Sequence, residues 1–391
     1  MPSKPIQIKI SYIGYESKLI DIFLKKDSLI DAKLEVNEQL LDEVIIKESN
    51  EQILQRVQIG VTSIPVSRLK TIPILFGESD IIKALSTTPG VSTGNEGTSG
   101  LLVRGGTPDQ NLILLDDAIV YNTAHLFGLV SIFNTDAIKN VDLYKSVFPA
   151  RFGGRLSSVL DFSMKEGNNQ RKRKELTIGL ISSKLLLEGP LSDKLWNKAS
   201  YMISARTSYL TPFLLPQIIS FKNGNANQMF NYWLYDINAK VNYKINSKTQ
   251  IFASFYHGND FWVAQDGLVN DRGKFSLNWG NLMGSLRLNY IIHPKLFLKT
   301  ISSLSKYKYQ VGNTSYELIN KDWRIANYFF NTSSIRDFNA KASFEWFPFS
   351  FQQVRFGFDA TNHQYTPTQI KTNYSIAQNS LVFINNAISA N

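Results

Sequence analysis

From Glu175 onward the chain alternates apolar and polar side chains, a period of two that only a β-strand with two unlike faces satisfies. Tyr235, Ile237, Ala239, Val241, Tyr243 and Ile245 alternate with Asp236, Asn238, Lys240, Asn242, Lys244 and Asn246. Leu282, Gly284, Leu286, Leu288 and Tyr290 alternate with Ser285, Arg287 and Asn289, and Phe338, Ala340, Ala342, Phe344 and Trp346 with Asn339, Lys341, Ser343 and Glu345. Leu176, Ile178 and Leu180 share one phase and Leu185 and Leu187 the other, so a tight reversal is predicted at Ser182 and Ser183. Such a sheet has one face suited to lipid and one suited to water.

Soluble antiparallel sheets alternate as well, so the connections discriminate. Short turns at residues 246 to 248, 293 to 295 and 348 to 350 alternate with long links at 212 to 233, 261 to 274 and 311 to 334. Outer-membrane barrels have this rhythm, with short turns on one rim and long loops on the other. Trp233, Tyr235, Tyr256, Trp262, Trp279, Tyr290, Tyr309 and Trp346 fall near the predicted strand ends, as aromatic girdles require. Nine strands and the start of a tenth, near Ser375 to Ile388, are predicted. At roughly 22 residues per strand and connection, a barrel of about 22 strands needs on the order of 500 residues. The stretch from 175 to 391 is less than half of that, so an incomplete barrel is expected. An open sheet alone in hydrocarbon would leave edge amides and carbonyls unpaired.

The region before residue 175 reads differently. Ile6, Ile8, Ile10 and Tyr12 alternate and lead to further short strands at Leu19 to Leu24, Ala32 to Val36 and Leu41 to Lys47, as in part of a small β-sandwich. Glu48 to Arg56 is polar and reads as a linker. A second unit starts near Val57, with Ser79 expected to cap a short helix over Asp80 to Leu85 that Thr88, Pro89 and Gly90 stop. Strands are expected at Leu101 to Val103, Asn111 to Leu115, Ala118 to Val120, Val141 to Lys145 and Ser158 to Met164, with a helical turn at Asp136 to Asn140. The fold class is therefore mainly β, with a partial β-sandwich at 1 to 47, a linker at 48 to 56, a small αβ domain at 57 to 166, a basic linker at 167 to 174, and the first part of a large antiparallel transmembrane β-barrel at 175 to 391.

Composition narrows the function. There is no uninterrupted run of about 18 apolar residues, so a helical membrane span is not expected, which leaves a β-barrel open. The net charge of +10 makes polyanions conceivable partners, but only Arg171 to Lys174 is a dense basic run and it reads as a solvated turn, so nucleic acid is not expected. With no cysteine, disulfides, thiolate metal sites and Cys nucleophiles are excluded together. His125, His257, His293 and His363 lack metal-ligand spacing, so no metal and no cofactor are expected. Asp116 and Asp117 are adjacent and read as a turn rather than an acid/base pair. Phosphate-loop, nucleophile-elbow and zinc-protease motifs are absent, and an enzyme is disfavoured. The first residues, Met1 to Ile10, carry no positive region followed by an apolar stretch, so an exported barrel would require that the chain start inside a longer gene product.

Residues 57 to 166 resemble the plug domain of TonB-dependent outer-membrane receptors through Leu102-Val103-Arg104-Gly105-Gly106, Leu114-Leu115-Asp116-Asp117, Arg151-Phe152-Gly153-Gly154-Arg155 and Val159-Leu160-Asp161. Residues 6 to 46 resemble the end of the carboxypeptidase-regulatory-like sandwich that precedes the plug in many Bacteroidetes-type receptors, through Tyr12 to Tyr15 and Leu41 to Ile45. The resemblance implies a Gram-negative outer-membrane location with lipid around the barrel, TonB with its inner-membrane energising complex as partner, and a scarce ligand such as a siderophore, glycan or peptide. It also implies that the ligand is admitted to the periplasm as TonB shifts the plug. An adhesin-like or signalling β-sheet protein without transport is the alternative. Ligand contacts are then expected at the plug apex, from Thr93, Asn95, Glu96, Tyr121, Asn122 and His125, unless these are ordinary surface loops. Gly105, Gly106, Gly153 and Gly154 would allow tight turns, and Arg104, Arg151 and Arg155 would pair with wall carboxylates or else be turn glycines and solvated arginines. Glu43, Val44, Ile45 and Ile46 weakly resemble a TonB-contacting strand, with a structural strand as the competing role.

Overall fold

In a computed structural model the described residues are 6–10, 18–22, 32–33, 61–66, 79–93, 100–145, 147–179, 181–192, 195, 197–224, 227–267, 271–320, 322–349, 351–373 and 385–390. The chain divides into two units, Met1–Ile59 and Gly60–Asn391. In the first, β1 (Ile6–Ile10) and β2 (Lys18–Ile22) form an antiparallel hairpin in which Ile8 faces Ile20. The expected strand at Leu41 to Lys47, with Glu43, Val44, Ile45 and Ile46, and the 48 to 56 linker lie outside the described residues.

The second unit begins with a small αβ domain. It contains β3 (Val61–Pro65), α1 (Ile81–Leu85), β4 (Val91–Thr93), β5 (Leu101–Val103), β6 (Asn111–Leu115), β7 (Ala118–Ile119), β8 (Ala124–His125), β9 (Val130–Ser131), β10 (Ile138–Lys145) and β11 (Ser158–Met164). Five strands form one sheet in the order β3-β10-β11-β6-β7, with β11 and β6 parallel and the other pairs antiparallel. Asn111 to Leu115 is buried throughout, as a strand covered on both faces must be. On one side Ile81, Leu85, Leu101, Phe133, Ile138, Val141, Leu160 and Phe162 form the core, with the Phe133 and Phe162 rings stacked 3.6 Å apart. On the other, Leu112, Leu114, Tyr144, Phe152 and Val159 pack together.

Two local expectations are corrected. Asp80, not Ser79, caps α1: its Oδ1 accepts from the Ile82 and Lys83 amides at 2.8 and 3.2 Å, while Ser79 bonds Thr135. A carboxylate beside the positive helix end outcompetes a hydroxyl one residue earlier. Residues 136 to 140 are not a helical turn, because β10 already begins at Ile138 and pairs with β11.

A ten-stranded antiparallel sheet follows, in unbroken sequence order. Its members are β12 (Arg173–Ile178), β13 (Ser182–Pro190), β14 (Ala199–Ser208), β15 (Gln228–Lys244), β16 (Thr249–Gly267), β17 (Asp271–His293), β18 (Leu296–Ile319), β19 (Asp322–Phe349), β20 (Gln352–Thr372) and β21 (Asn385–Ala390). This is the sheet of part of a barrel. The first strand starts inside the basic run, at Arg173, whose guanidinium meets Glu175 at 2.5 Å. The first strand ends at Ile178 and Ser182 already opens the second, so Ser182 and Ser183 are strand and not the reversal itself.

The short turns stand where expected, but the long links do not exist as loops. The first is divided between α2 (Leu210–Lys222) and the start of β15, and the other two are largely paired strand: β16 runs on to Gly267 before β17 starts at Asp271, and β18 to Ile319 before β19 starts at Asp322. Alternation lapses there because apolar residues stand next to one another, Phe261 to Ala264 and Tyr328 to Phe330, although the backbone ladder continues.

The face of this sheet follows the sequence phase. Asp236, Asn238 and Lys240 are buried against the αβ domain, whereas Trp233, Ile237 and Val241 are exposed on the opposite face. Leu186, Met202, Tyr256 and Met283 of the wall join the αβ domain's main core. Tyr256 and Trp279, expected in an outward aromatic girdle, instead face inward and are buried, whereas Trp233, Tyr235, Tyr290 and Trp346 lie on the outward face.

Candidate functional site

Residues 116 to 136 of the αβ domain lie on the inner face of the sheet and are joined to it by side-chain bonds. The centre of this contact is His125 on β8, 1% exposed. Its Nε2 stands 2.7 Å from Asp236 Oδ1 on β15 and its Nδ1 2.6 Å from Asp260 Oδ2 on β16. Asp236 also accepts from Arg206 Nε at 2.6 Å and from the Tyr256 hydroxyl at 2.6 Å, and Asp260 accepts from Tyr232. Arg206 Nη2 donates 2.7 Å to the Ser131 carbonyl, and the Ser131 amide donates to Asp80, so the clamp connects to the cap of α1. Two carboxylates face one guanidinium and one imidazole, and the buried charges balance when the imidazole is protonated. Burial alone would lower the His125 pKa, but the Asp236 and Asp260 charges outweigh it and raise it to about 9.

That shift sets a pH window. The seated domain favours the protonated imidazole, so His125 contributes its full stabilisation below the ordinary histidine pKa and loses it as pH climbs through about 9. The contribution is on the order of 3 kcal/mol. Trp262 and Trp279, in edge and tilted contact with Phe127 next to this loop, should report loosening as a fluorescence change between pH 8 and 10. His125→Asn should flatten that transition; an unchanged titration in the variant would exclude the histidine.

A second clamp sits at the β6–β7 turn. Asp116 and Asp117 both have positive φ, 46° and 70°, which suits an Asp in a tight hairpin. Asp116 Oδ2 is 2.9 Å from Lys240 Nζ, a fully enclosed ammonium, and accepts from Ser254 at 2.6 Å; its Oδ1 accepts from the Met164 amide at 3.1 Å. Asp117 meets Lys299 at 3.2 Å and Arg287 at 3.9 Å. Further along, the Tyr121 hydroxyl donates 2.5 Å to Asp337, which also meets His363 Nδ1 at 2.7 Å, while Asn281 donates to the Asn122 carbonyl and Asn134 to Ser204. Burial, and then Asp337, raises the Tyr121 pKa, so the phenol stays a donor.

The expected site residues are therefore distributed differently. Tyr121, Asn122 and His125 are engaged by the wall, and His125 has no nitrogen left for a ligand. Thr93 is exposed at the end of β4, and Asn95 and Glu96 lie outside the described residues. The side-chain bonds of Arg151 and Arg155 go to the Tyr144 hydroxyl and the Gly154 carbonyl, within their own domain. Arg104 is at φ 49°, beside Gly105 at +82°. A Cβ on Gly106 would stand 2.4 Å from Ser157 Oγ, so this turn needs glycine; Gly154 has φ +76°, with Gly153 before it in the same loop. The polarity of the contact is thus mixed: at 116 and 117 the small domain supplies the carboxylates and the wall supplies Lys240, Lys299 and Arg287, whereas at His125 and Tyr121 the wall supplies Asp236, Asp260 and Asp337. The signal in the sequence was a set of charges at mid-strand inward positions, Arg206, Asp236, Lys240 and Asp260, which need buried partners.

Residues 54–158 match the family described as TonB-dependent Receptor Plug Domain. This part of the chain is a plug domain. The match is to a receptor domain, in line with the expectation that the chain is not an enzyme. No curated protein matches the sequence. Among solved structures, a mutant of the ferric enterobactin receptor PfeA from Pseudomonas aeruginosa is similar at 11% identity and TM-score 0.39, over 82% of this chain and 60% of that one. The ferric yersiniabactin uptake receptor FyuA from Yersinia pestis is similar at 9% identity and TM-score 0.46, over 85% and 60%. The ferric-catecholate import receptor Fiu from E. coli K12 is similar at 10% and 0.47, over 85% and 65%. The chain thus spans about three fifths of the length of the first and second of these receptors. The plug and the inner face of the ten-stranded sheet together make the candidate site: a domain seated by discrete ion pairs on a wall whose other face is apolar.

Proposed function

We propose that this chain is the plug-bearing part of a TonB-dependent outer-membrane receptor that binds a scarce extracellular ligand and admits it to the periplasm when TonB shifts the plug. The observation that carries this is the pairing of opposites on one sheet: the strands that bury Asp236 and Lys240 against the plug expose Trp233, Ile237 and Val241 on the reverse face. An apolar outward face belongs in lipid, and a seat made of ion pairs can be released and remade as a unit. The location is the Gram-negative outer membrane. The residues before the plug form the end of a carboxypeptidase-regulatory-like extension of the Bacteroidetes type, with Glu43 to Ile46 as the segment offered to TonB. Thr93, Asn95 and Glu96 belong to the ligand-facing apex, and the ligand is a siderophore, glycan or peptide.

The intact receptor should fractionate with the outer membrane and show heat-modifiable gel mobility. In cells expressing it, uptake from a panel of ferric siderophores, oligosaccharides and oligopeptides should identify a ligand whose accumulation drops at least tenfold without TonB. Uptake that continues undiminished in the absence of TonB would sink the mechanism.

A further inference from the structure

The outward face of the sheet carries an unexplained cluster of three cations. Ser303, Ser305 and Asp337 point inward and are buried, whereas Leu304 is 49% and Phe338 52% exposed on the other face. Alternation along β18 and β19 therefore puts Lys306, Lys308 and Arg336 outward with Leu304 and Phe338, and the pairing of these two strands has no bulge between the two rows. Lys306 lies directly opposite Arg336, and Lys308 is two residues further along the same face. Both Arg336 and Lys308 are near enough to repel the Lys306 charge. The residues paired beside them on this face are Leu282, Gly280, Ser334 and Gln364, none of them acidic. Like charges placed opposite each other destabilise a sheet, so these three call for an anion from outside the chain.

Their level on the wall says which anion. On one side of the cluster the outward face is apolar, with Leu304, Leu286, Phe338 and Phe358 exposed; on the other it is polar, with Gln310 bonded to Thr332. Charges on a lipid-facing barrel surface are tolerated at the edge of the apolar band and penalised at its middle, so the cluster marks that edge. A free anion would meet only the cations. A lipid with a phosphorylated headgroup would also lay its acyl chains along Leu304, Leu286 and Phe338, and both guanidinium and ammonium groups bind phosphate well.

We propose that Lys306, Lys308 and Arg336 form a docking site for the phosphorylated headgroup of an outer-leaflet lipid, on the outside of the wall and separate from the plug. This inference rests on the reading of the sheet as a membrane wall. The test uses the intact receptor in nonionic detergent, stripped of native lipid, with bisphosphorylated lipid A, the same lipid after dephosphorylation, and inorganic phosphate as probes in native mass spectrometry. The wild type should hold the phosphorylated lipid on the order of 100-fold more tightly than the dephosphorylated one, and Lys306→Gln/Lys308→Gln/Arg336→Gln should remove the difference. In the absence of lipid the triple variant should melt no lower than the wild type, because repulsion is relieved. Should the triple variant not fold, Lys308→Gln and Arg336→Gln singly are each expected to weaken binding about fivefold. Equal binding of the two lipids, undiminished binding by folded variants, or inorganic phosphate binding as tightly as the lipid would each overturn the proposal. Heat-modifiable mobility is read on the same samples: its absence in the wild type defeats the barrel reading itself, whereas its presence without lipid discrimination defeats the docking site alone.

Discussion

Asp236→Ala should unseat the plug more than any other single change in the wall. The substitution leaves Arg206 and His125, both almost wholly enclosed, facing each other without the carboxylate that joins them, and it strips the Tyr256 hydroxyl of its acceptor. Breaking a buried charge network by removing one partner costs about 3–5 kcal/mol, far more than the net worth of the contacts, because the remaining charges stay out of water. The expected result is hydrogen exchange at Val130 to Ile132 and around His125 accelerated by two orders of magnitude or more. Heat-modifiable mobility should be kept, since the apolar outward face of β15 is untouched. Asp236→Asn, which keeps the acceptor geometry and loses the charge, should fall between. Exchange within twofold of the wild type for the alanine variant would show that the plug is held by its apolar core instead.

The second large effect is expected at the hairpin turn. Asp116→Asn preserves a residue type that tolerates φ 46° and can still accept from the Met164 amide, so the turn itself should survive. The Lys240 ammonium, 2% exposed, is then left without its counter-charge. The plug should be loosened by about 3–5 kcal/mol, visible as proteolytic cutting within the β6–β7 region at protease levels that leave the wild type intact. Asp116→Asn combined with Lys240→Met should recover much of the loss, because the uncompensated charge is gone and the stem of the side chain is replaced by one of similar length. A double variant no better than the single would mean that Asp116 acts through its backbone turn and not through Lys240.

These two clamps also explain what the sequence conveyed and what it hid. Strand existence in the second half was legible because lipid-type and water-type faces alternate, so Ile237 and Asp236 declare their sides without a structure. Past residue 311 that pattern is lost, because Tyr328, Phe329 and Phe330 are consecutive and paired strand there looks like loop. Inward polar residues were harder still. A lysine that faces water and Lys240, which faces Asp116 across 2.9 Å, have the same neighbours in sequence. The expectation of arginines on the plug and carboxylates on the wall followed from resemblance, and the side-chain geometry reversed its sign at Asp116 and Asp117 while keeping it at His125. For His125, a polar residue on an apical loop invites the role of ligand contact; only the positions of Asp236 and Asp260, more than a hundred residues away, show that both of its nitrogens are occupied.

The extended strands carry one further consequence. The β18–β19 ladder runs to the pair Ile319 and Asp322, so the tip between them is two residues long. The 28 residues of β19 measure roughly 90 Å at about 3.3 Å each, and even at a tilt near 40° stand well above an apolar band of about 25 Å. A tip so short has no slack with which to fold across the opening. This hairpin is a stiff parapet, paired almost to its tip.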